Sequence, residues 1–508
     1  MSRFTAIVAA ACALSGALPA AETPNLVVIH TDEHNFRTLG CYRALMPRDQ
    51  AFVWGDGLAV ETPNLDWIAK NGAICDRFYA ASPVCTPSRA ALVSGRYPQN
   101  TGAVVNEDPL RDDVVTFAEV LRRRGYATGY AGKWHLDGPG RPQWTPSRKF
   151  GFDDNRYMFN RGHWKKLADT PEGPRVAAVG HDGAPTYALE AADERSFTTD
   201  FLVDRTVAFI ARHKGEPFCY MVSIPDPHGP NIVRPPYDTM FTPLAFQQPA
   251  SARSPGRNLP AYAATLPDEF DQRQMALYFG MVKCIDDNVG KILAALRQAG
   301  VLEKTFIVFT SDHGDLCGEH GRYDKGVPME ASARIPFLLY APGVVNPGTI
   351  VRQTLTNVDF KPTILALMGV PNPTKDDGRD ASALFSGRPL AQPWDDIAFV
   401  RFGKLGDMPA ARNAWFGAFT RRYKLVVAPH AEPALFDLED DPNELINRFA
   451  SPADRDVVRR LAHALARYAE TNHDPLYASP AVRHDLAWAS DGAGDYHPPN
   501  REPASPSR

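Results

Sequence analysis

The chain has 508 residues, 44% of them hydrophobic and 22% charged, with a formal net charge of −4. That length is ample for a large core and suggests one big domain with a smaller partner. A near-neutral balance without a basic block carrying interleaved aromatics excludes the usual features of a nucleic-acid binder, and no internal repeat is present.

The first predicted element is a leader. Residues 1–21, "MSRFTAIVAAACALSGALPAA", combine Arg3, an apolar Ala-rich stretch and small residues at Ala20 and Ala21, the pattern of a secretory signal peptide. The stretch is too short for a comfortable membrane span, so no stable membrane insertion is expected and the mature protein is placed in the periplasm or outside the cell. Cys12 would leave with the leader. The other six cysteines, Cys41, Cys75, Cys85, Cys219, Cys284 and Cys317, are too scattered for a disulfide framework and form no C-x-x-C pair.

Four apolar, strand-like runs then end in polar residues of catalytic type. "NLVVIHTDEHN" delivers Asp32 and Glu33, "YATGYAGKWHL" Lys133 and His135, "PFCYMVSIPDPHGP" Asp226 and His228, and "TFIVFTSDHGD" Asp312 and His313. One such run is an ordinary strand meeting a solvated loop; four in one chain point to a shared rim, because ligands bind at the carboxyl ends of parallel strands. Helical stretches separate the runs. Val114 to Arg124 is closed by Gly125, and Tyr278, Val282, Ile285, Val289, Ile292 and Leu296 recur at helical spacing before Gly300. These are crossover units, so the expected fold is α/β with a central, mostly parallel sheet flanked by helices.

Between the first two runs lies "SPVCTPSRAALVSGRYP", Ser82 to Pro98. Thr86 is a good N-cap, Pro87 suits the first helical position, and Ala90, Ala91, Leu92 and Val93 continue the helix. Cys85 therefore stands at the positive end of a helix, with Arg89 one turn on, where an anion is stabilised. A small buried core residue is the ordinary fate of such a cysteine; a reactive group facing an anionic substrate is the alternative.

Toward the C-terminus, the Pro-rich stretch Pro235 to Pro260 reads as a long surface loop that could shape access to a site. After a loop-like segment at Asn372 to Asp396, "DIAFVRF", "AWFGAFT", "YKLVVAP" and "ALFDL" follow at hairpin spacing as a small antiparallel sheet, and Val458, Leu461, Leu465 and Tyr468 mark a helix. The expected division is a catalytic domain over 22–375, a C-terminal subdomain over 376–475, and an irregular tail over 476–508.

Asp32, Glu33, Asp312 and His313 offer hard oxygens and one imidazole, a set that suits Ca2+, or Mg2+, better than zinc. Lys133 and Lys325 supply ammonium groups for oxyanion contacts, and His135 and His228 can act as acid or base near neutral pH. Singly, each is an ordinary lysine or a satisfied histidine. Together, cations, a hard metal and titratable imidazoles around a helix N-terminus describe a site for a tetrahedral oxyanion ester. His30 and His34 flank the metal strand and are read as packing residues.

At these residues a resemblance appears. Cys85 to Arg89, C-T-P-S-R, is similar to the C-x-P-S-R signature of the type I formylglycine-dependent sulfatases of the alkaline phosphatase superfamily. "GYAGKWHL", "NLVVIHTDE", "TSDHG", "DKG" at Asp324 to Gly326 and "LFDLEDDPNE" at Leu435 to Glu444 resemble further motifs of that family, in family order. The resemblance implies an alkaline-phosphatase-like fold, and a maturation enzyme that oxidises Cys85 to formylglycine, whose hydrate attacks sulfur. It implies Asp32, Glu33, Asp312, His313 and residue 85 around the metal, with Arg89 beside the nucleophile and Lys133 and Lys325 on the sulfate oxygens. His228 would protonate the leaving alcohol, and His135 would take a proton from the second hydroxyl to expel sulfate. Glu33 departs from the family's usual Asp or Gln and is a methylene longer than Asp. The implied substrate is a sulfated carbohydrate, with specificity in the loops His163 to Arg195 and Pro235 to Pro260 and with Arg322 and Tyr323 as sugar contacts. The rival readings are a phosphonate or phosphate ester hydrolase of the same superfamily, favoured by a second metal cluster, and a non-catalytic protein that binds sulfated glycans.

Overall fold

A computed structural model describes residues 23–266, 270–405 and 413–501. The leader read at 1–21 lies outside the described residues. The main sheet has eight strands: β1 (Asn25–Asp32), β2 (Ala73–Tyr79), β3 (Ala127–Lys133), β4 (Asp154–Phe159), β7 (Phe218–Pro227), β8 (Thr305–Ser311), β9 (Phe337–Tyr340) and β10 (Thr349–Thr356). The intervening β5 (Leu167–Thr170) and β6 (Gly173–Val176) form a separate two-stranded ribbon. Spatial order is β10-β2-β9-β8-β1-β7-β3-β4. Only β9 runs antiparallel to its neighbours, so the sheet is mostly parallel as its continuous apolar runs require.

β1 is buried along its whole length at the centre of this sheet. Its alternate residues feed opposite faces: Leu26 and Val28 join a core with Phe117, Leu121 and Ile364, whereas Val27 and Ile29 join one with Leu65, Phe201, Ile285 and Val289. Helices thus cover both faces. Helix Phe117–Arg123 opens on Thr116 in a capping box with Glu119, slightly later than the Val114 expected from sequence. The helical spacing from Tyr278 to Leu296 belongs to one long helix, Gln272–Gln298, capped by Asp271.

The C-terminal sheet is four-stranded and antiparallel, in the order β11 (Ala398–Phe402), β12 (Trp415–Phe419), β13 (Tyr423–Val427) and β14 (Ala434–Asp437). Helix Arg455–Thr471 packs on it through Val458, Leu461 and Leu465. One expectation is corrected here. The described part of the stretch beyond 476 is not irregular throughout: Pro480 starts a helix, Pro480–Asp491, whose Val482, Leu486 and Ala489 complete the same core. Pro at the first helical position and apolar residues four and three apart are the physical reason.

A buried ion pair ties this unit together. Arg401 on β11 meets Asp474 at 2.8 Å, both side chains fully buried, while Asp474 also accepts the N–H of Leu476 at 3.0 Å. Replacing Arg401 by Leu strands the Asp474 carboxylate, and the expected loss is about 3–5 kcal/mol of stability. An earlier urea midpoint for Arg401→Leu checks this, and an unchanged midpoint contradicts it.

Candidate active site

Register brings the strand ends together. β1 pairs in parallel with β7 and β8, placing Asp32 opposite Pro227 and Thr31 opposite Ser311. The residues that follow β7 and β8, His228, Asp312 and His313, therefore gather around Asp32 at the carboxyl edge, with Lys133 at the end of β3.

Cys85 arrives from the loop after β2. The structure corrects its helix cap: helix Cys85–Ser94 begins at the cysteine itself, with Val84 extended in the capping position. Thr86 cannot cap because its hydroxyl donates to the carbonyl of His135 at 3.0 Å, while Asn106 accepts the Thr86 N–H at 3.0 Å. The Cys85 thiol lies 3.3 Å from His313 Nε2 and 3.9 Å from Asp32 Oδ1. Burial opposes a thiolate here, yet Lys133, Lys325 and His313 hold its pKa well below the usual thiol value.

The Arg89 guanidinium joins the two buried acids. Its Nε donates to Asp312 Oδ2 at 3.0 Å, its Nη2 lies 3.2 Å from Asp32 Oδ2, and its Nη1 donates to Lys133 O at 2.8 Å and Ser223 Oγ at 2.7 Å. Ser88 of the same helix donates to Asp312 O, and Asn357 donates to Ser88 Oγ at 2.8 Å. Burial resists ionisation of Asp32, but Lys133 and Arg89 depress its pKa well below the carboxylate range. Asp312 moves the other way, raised by burial and by Asp32.

The residues present fit a hard divalent cation. One ligand atom each from Asp32, Cys85, Asp312 and His313 lies within 4.8 Å of the others, and all four residues are buried. His313 donates from Nδ1 to Gly314 O at 3.0 Å, which leaves Nε2 as the ring atom that faces the group. Glu33, expected as a fifth ligand, stands outside this group. Its carboxylate lies 3.0 Å from His228 Nε2 and 3.0 Å from Lys325 Nζ.

Lys133 donates to Asp32 and to His163 Nε2 at 2.7 Å, and the His163 ring stacks on His228 with centroids 3.5 Å apart. His228 donates from Nδ1 to Gly229 O at 2.9 Å, which turns Nε2 toward Lys325 at 2.7 Å. Burial is the largest influence and lowers its pKa, but Glu33, Asp32 and Cys85 together more than offset burial and Lys325 and push the imidazole up to about 10, so it is a proton donor at neutral pH. His135 is the opposite: burial carries it down to about 4, and neither ring nitrogen has a hydrogen-bond partner among the described residues, which suits a base.

Some sequence candidates have structural duties. Asp226 is buried in an ion pair with Lys165 at 2.6 Å, and the same ammonium donates to His228 O at 3.1 Å, fixing the backbone of the acid. Arg322 donates to Ala264 O at 2.7 Å and Tyr323 accepts from Asp271 N at 2.7 Å, so both anchor a surface segment. His34 is satisfied by Thr31 and Thr38, as expected of a packing residue. His30 is fully buried under the site, and neither ring nitrogen has a hydrogen-bond partner among the described residues.

Sequence reasoning missed His163 and Lys165. They follow β4, which is a mixed polar strand and no continuous apolar run, and the available signal was the basic cluster Arg161, His163, Lys165 and Lys166 just after it. A second potential metal group, Asp32 with His163 and His228, also emerges. Lys133 and Lys325 each stand 2.7 Å from one of its two imidazoles, so ammonium groups already stand where a cation would have to bind.

Fold and site together define a metal-assisted ester hydrolase of the alkaline phosphatase superfamily. The chain belongs to the formylglycine-dependent sulfatase family within it and is a sulfuric ester hydrolase: the family model described as Sulfatase matches residues 24–370. A second model, N-sulphoglucosamine sulphohydrolase, C-terminal, matches residues 318–471. The chain is 25% identical to the N-acetylglucosamine-6-O-sulfatase of Bacteroides thetaiotaomicron, covering 89% of this chain and 88% of that protein. It is 28% identical to human arylsulfatase A, over 86% of this chain and 85% of the relative. Among solved structures, one in complex with its substrate D-glucosamine-2-N,6-O-disulfate superposes with a TM-score of 0.73 at 22% identity, covering 90% of this chain and 100% of the other. The phosphonate monoester hydrolase of Agrobacterium radiobacter superposes with a TM-score of 0.70 at 24% identity, covering 90% and 97%, and likewise shows the shared fold.

His163 touches Lys133 and His228 and lies 3.5 Å from Asp32. His163→Ala is therefore expected to lower the rate of sulfate release roughly 10- to 100-fold with the melting temperature retained, measured by ion chromatography of released sulfate. A wild-type rate removes it from the site.

Proposed function

We propose that the protein desulfates a carbohydrate, using a formylglycine made from Cys85 by a formylglycine-generating maturation enzyme. The observation that carries this reading is the position of Cys85: first residue of a buried helix, within reach of two carboxylates and an imidazole, with Arg89 one turn behind it. A core cysteine has no use for that company. The names of the relatives, among them an N-acetylglucosamine-6-O-sulfatase and an ulvan-active sulfatase, support a sulfated sugar as substrate.

A divalent cation, Ca2+ first and Mg2+ second, would be held by Asp32, Asp312, His313 and residue 85, and when bound supplies positive charge that favours an ionised oxygen nucleophile. The chain's own residues do the rest. Lys133 and Lys325 bind sulfate oxygens as charge develops on them. His228 gives its Nε2 proton to the leaving alcohol oxygen as the S–O bond breaks with its electron pair on oxygen. His135 then accepts a proton on the opposite side, beside residue 85, as sulfate departs. Each placed acid or base can contribute roughly 10²- to 10⁴-fold. The leader-like first residues support export to the periplasm or beyond. Among the described residues, no helix is long and apolar enough to cross a membrane.

Cys85→Ala should keep the fold and lose sulfate release entirely, while the wild-type tryptic peptide Phe78–Arg89 should show by mass the exchange of CH2SH for an aldehyde. An active Cys85→Ala variant eliminates the formylglycine reading. His228→Ala should depress turnover of sugar sulfates at least about tenfold more than that of 4-nitrophenyl sulfate, whose leaving group needs little protonation. Equal losses on both substrates would remove His228 from the acid role.

A further inference from the structure

Glu33 is where this chain departs from the Asp or Gln usual beside the metal-binding Asp, and its surroundings give the methylene it has beyond Asp a use. Its backbone is pinned: φ is 65°, in the left-handed region, the N–H donates to Asp312 Oδ1 at 3.1 Å, and the carbonyl accepts from Tyr278 Oη at 2.8 Å. That turn takes the side chain out of the line of β1. The carboxylate, 1% exposed, then meets His228 Nε2 at 3.0 Å from Oε2, and Lys325 Nζ at 3.0 Å from Oε1 and 3.1 Å from Oε2. It is absent from the group of residues whose ligand atoms cluster around Cys85.

Resting on the sulfatase reading above, we infer that Glu33 is a positioning residue for the leaving-group side of the site, clamping His228 and Lys325 together, and is not a ligand of the metal. His228 Nε2 and Lys325 Nζ stand 2.7 Å apart. One nitrogen must accept at that separation, so the two groups share a single proton between them, and the Glu33 carboxylate that meets both offsets the charge that remains. Nδ1 of His228 is committed to Gly229 O, so Nε2 is the one ring position that can face a substrate, and Glu33 fixes its direction. Lys325 is held from behind, because the next residue, Gly326, accepts from the Trp415 indole at 3.0 Å. A shorter Asp at 33 would leave the clamp open. The metal would accordingly rely on Asp32, Asp312, His313 and residue 85.

The test uses the full-length converted enzyme and two independent readouts. Calorimetric titration of chelator-stripped protein with Ca2+ should give Glu33→Gln an affinity within about threefold of wild type, whereas Asp312→Asn should weaken it roughly 10- to 100-fold. In turnover, Glu33→Gln should lose roughly 10²-fold in kcat on N-acetylglucosamine-6-O-sulfate and at least about tenfold less on 4-nitrophenyl sulfate. Glu33→Asp, which keeps the charge but not the reach, should fall between the two and carries both readouts should Glu33→Gln fail to fold. Ca2+ affinity lost in Glu33→Gln as in Asp312→Asn overturns the inference, as do equal losses on the two esters. Should the wild type release no sulfate at all, the sulfatase reading fails, and the Ca2+ titration still decides whether Glu33 is a ligand.

Discussion

Two carboxylates, Asp32 and Asp312, are buried side by side at the centre of the sheet, and everything else at this site follows from what it takes to keep them there. An uncompensated pair of this kind would cost several kcal/mol per charge. Arg89 lies across both, with Nη2 at 3.2 Å from Asp32 and 2.9 Å from Asp312. Its position on the helix that starts at Cys85 makes residue 85 and the compensating charge one rigid element. Once Arg89 is seated, Cys85 has nowhere to point but at the acids and His313.

The surrounding layers fix the remaining groups in the same manner. Lys165 and Asp226 hold the backbone of His228, His163 stacks on its ring, and Glu33 faces its Nε2. On the other side, the C-terminal sheet reaches into the catalytic domain: Trp415 holds Gly326, and Lys424 bonds Pro328 O at 2.8 Å and meets Glu330 at 2.7 Å. The loop that carries Lys325 is thus pinned by the smaller subdomain. The C-terminal sheet supports the Lys325 loop as well as its own core, partly through buried charge.

The parallel sheet was legible in sequence because each central strand is a continuous apolar run ending in a polar cluster, and those ends are what register places together. Asp32, Lys133, His228, Asp312 and His313 stand at those strand ends, whereas Cys85 and Arg89 were marked by the start of a helix and Lys325 by the resemblance of its motif. Three things were not legible. Thr86 looked like a cap, and only tertiary contact with His135 takes its hydroxyl away. His163 and Lys165 follow a strand of mixed polarity that gives no apolar run to mark it, and the stacking on His228 and the pair with Asp226 reveal them. The helix Pro480–Asp491 was obscured by the polar composition around it, its short apolar stripe having meaning only against the core left open by helix Arg455–Thr471. Glu33 was visible as a departure, but the left-handed turn that aims it away from the metal group is a property of the folded backbone.

The central claim is that this constellation cleaves sulfate esters with the help of a bound divalent cation. The most direct measurement reads inorganic sulfate and inorganic phosphate side by side from matched sulfate and phosphate esters of sugars and phenols, using enzyme made together with a formylglycine-generating enzyme, first with Ca2+ and then after chelation. The account predicts sulfate release from at least one sugar that exceeds phosphate release, disappears on chelation and returns with Ca2+. Dominant phosphate release, or sulfate release indifferent to chelation, would contradict it.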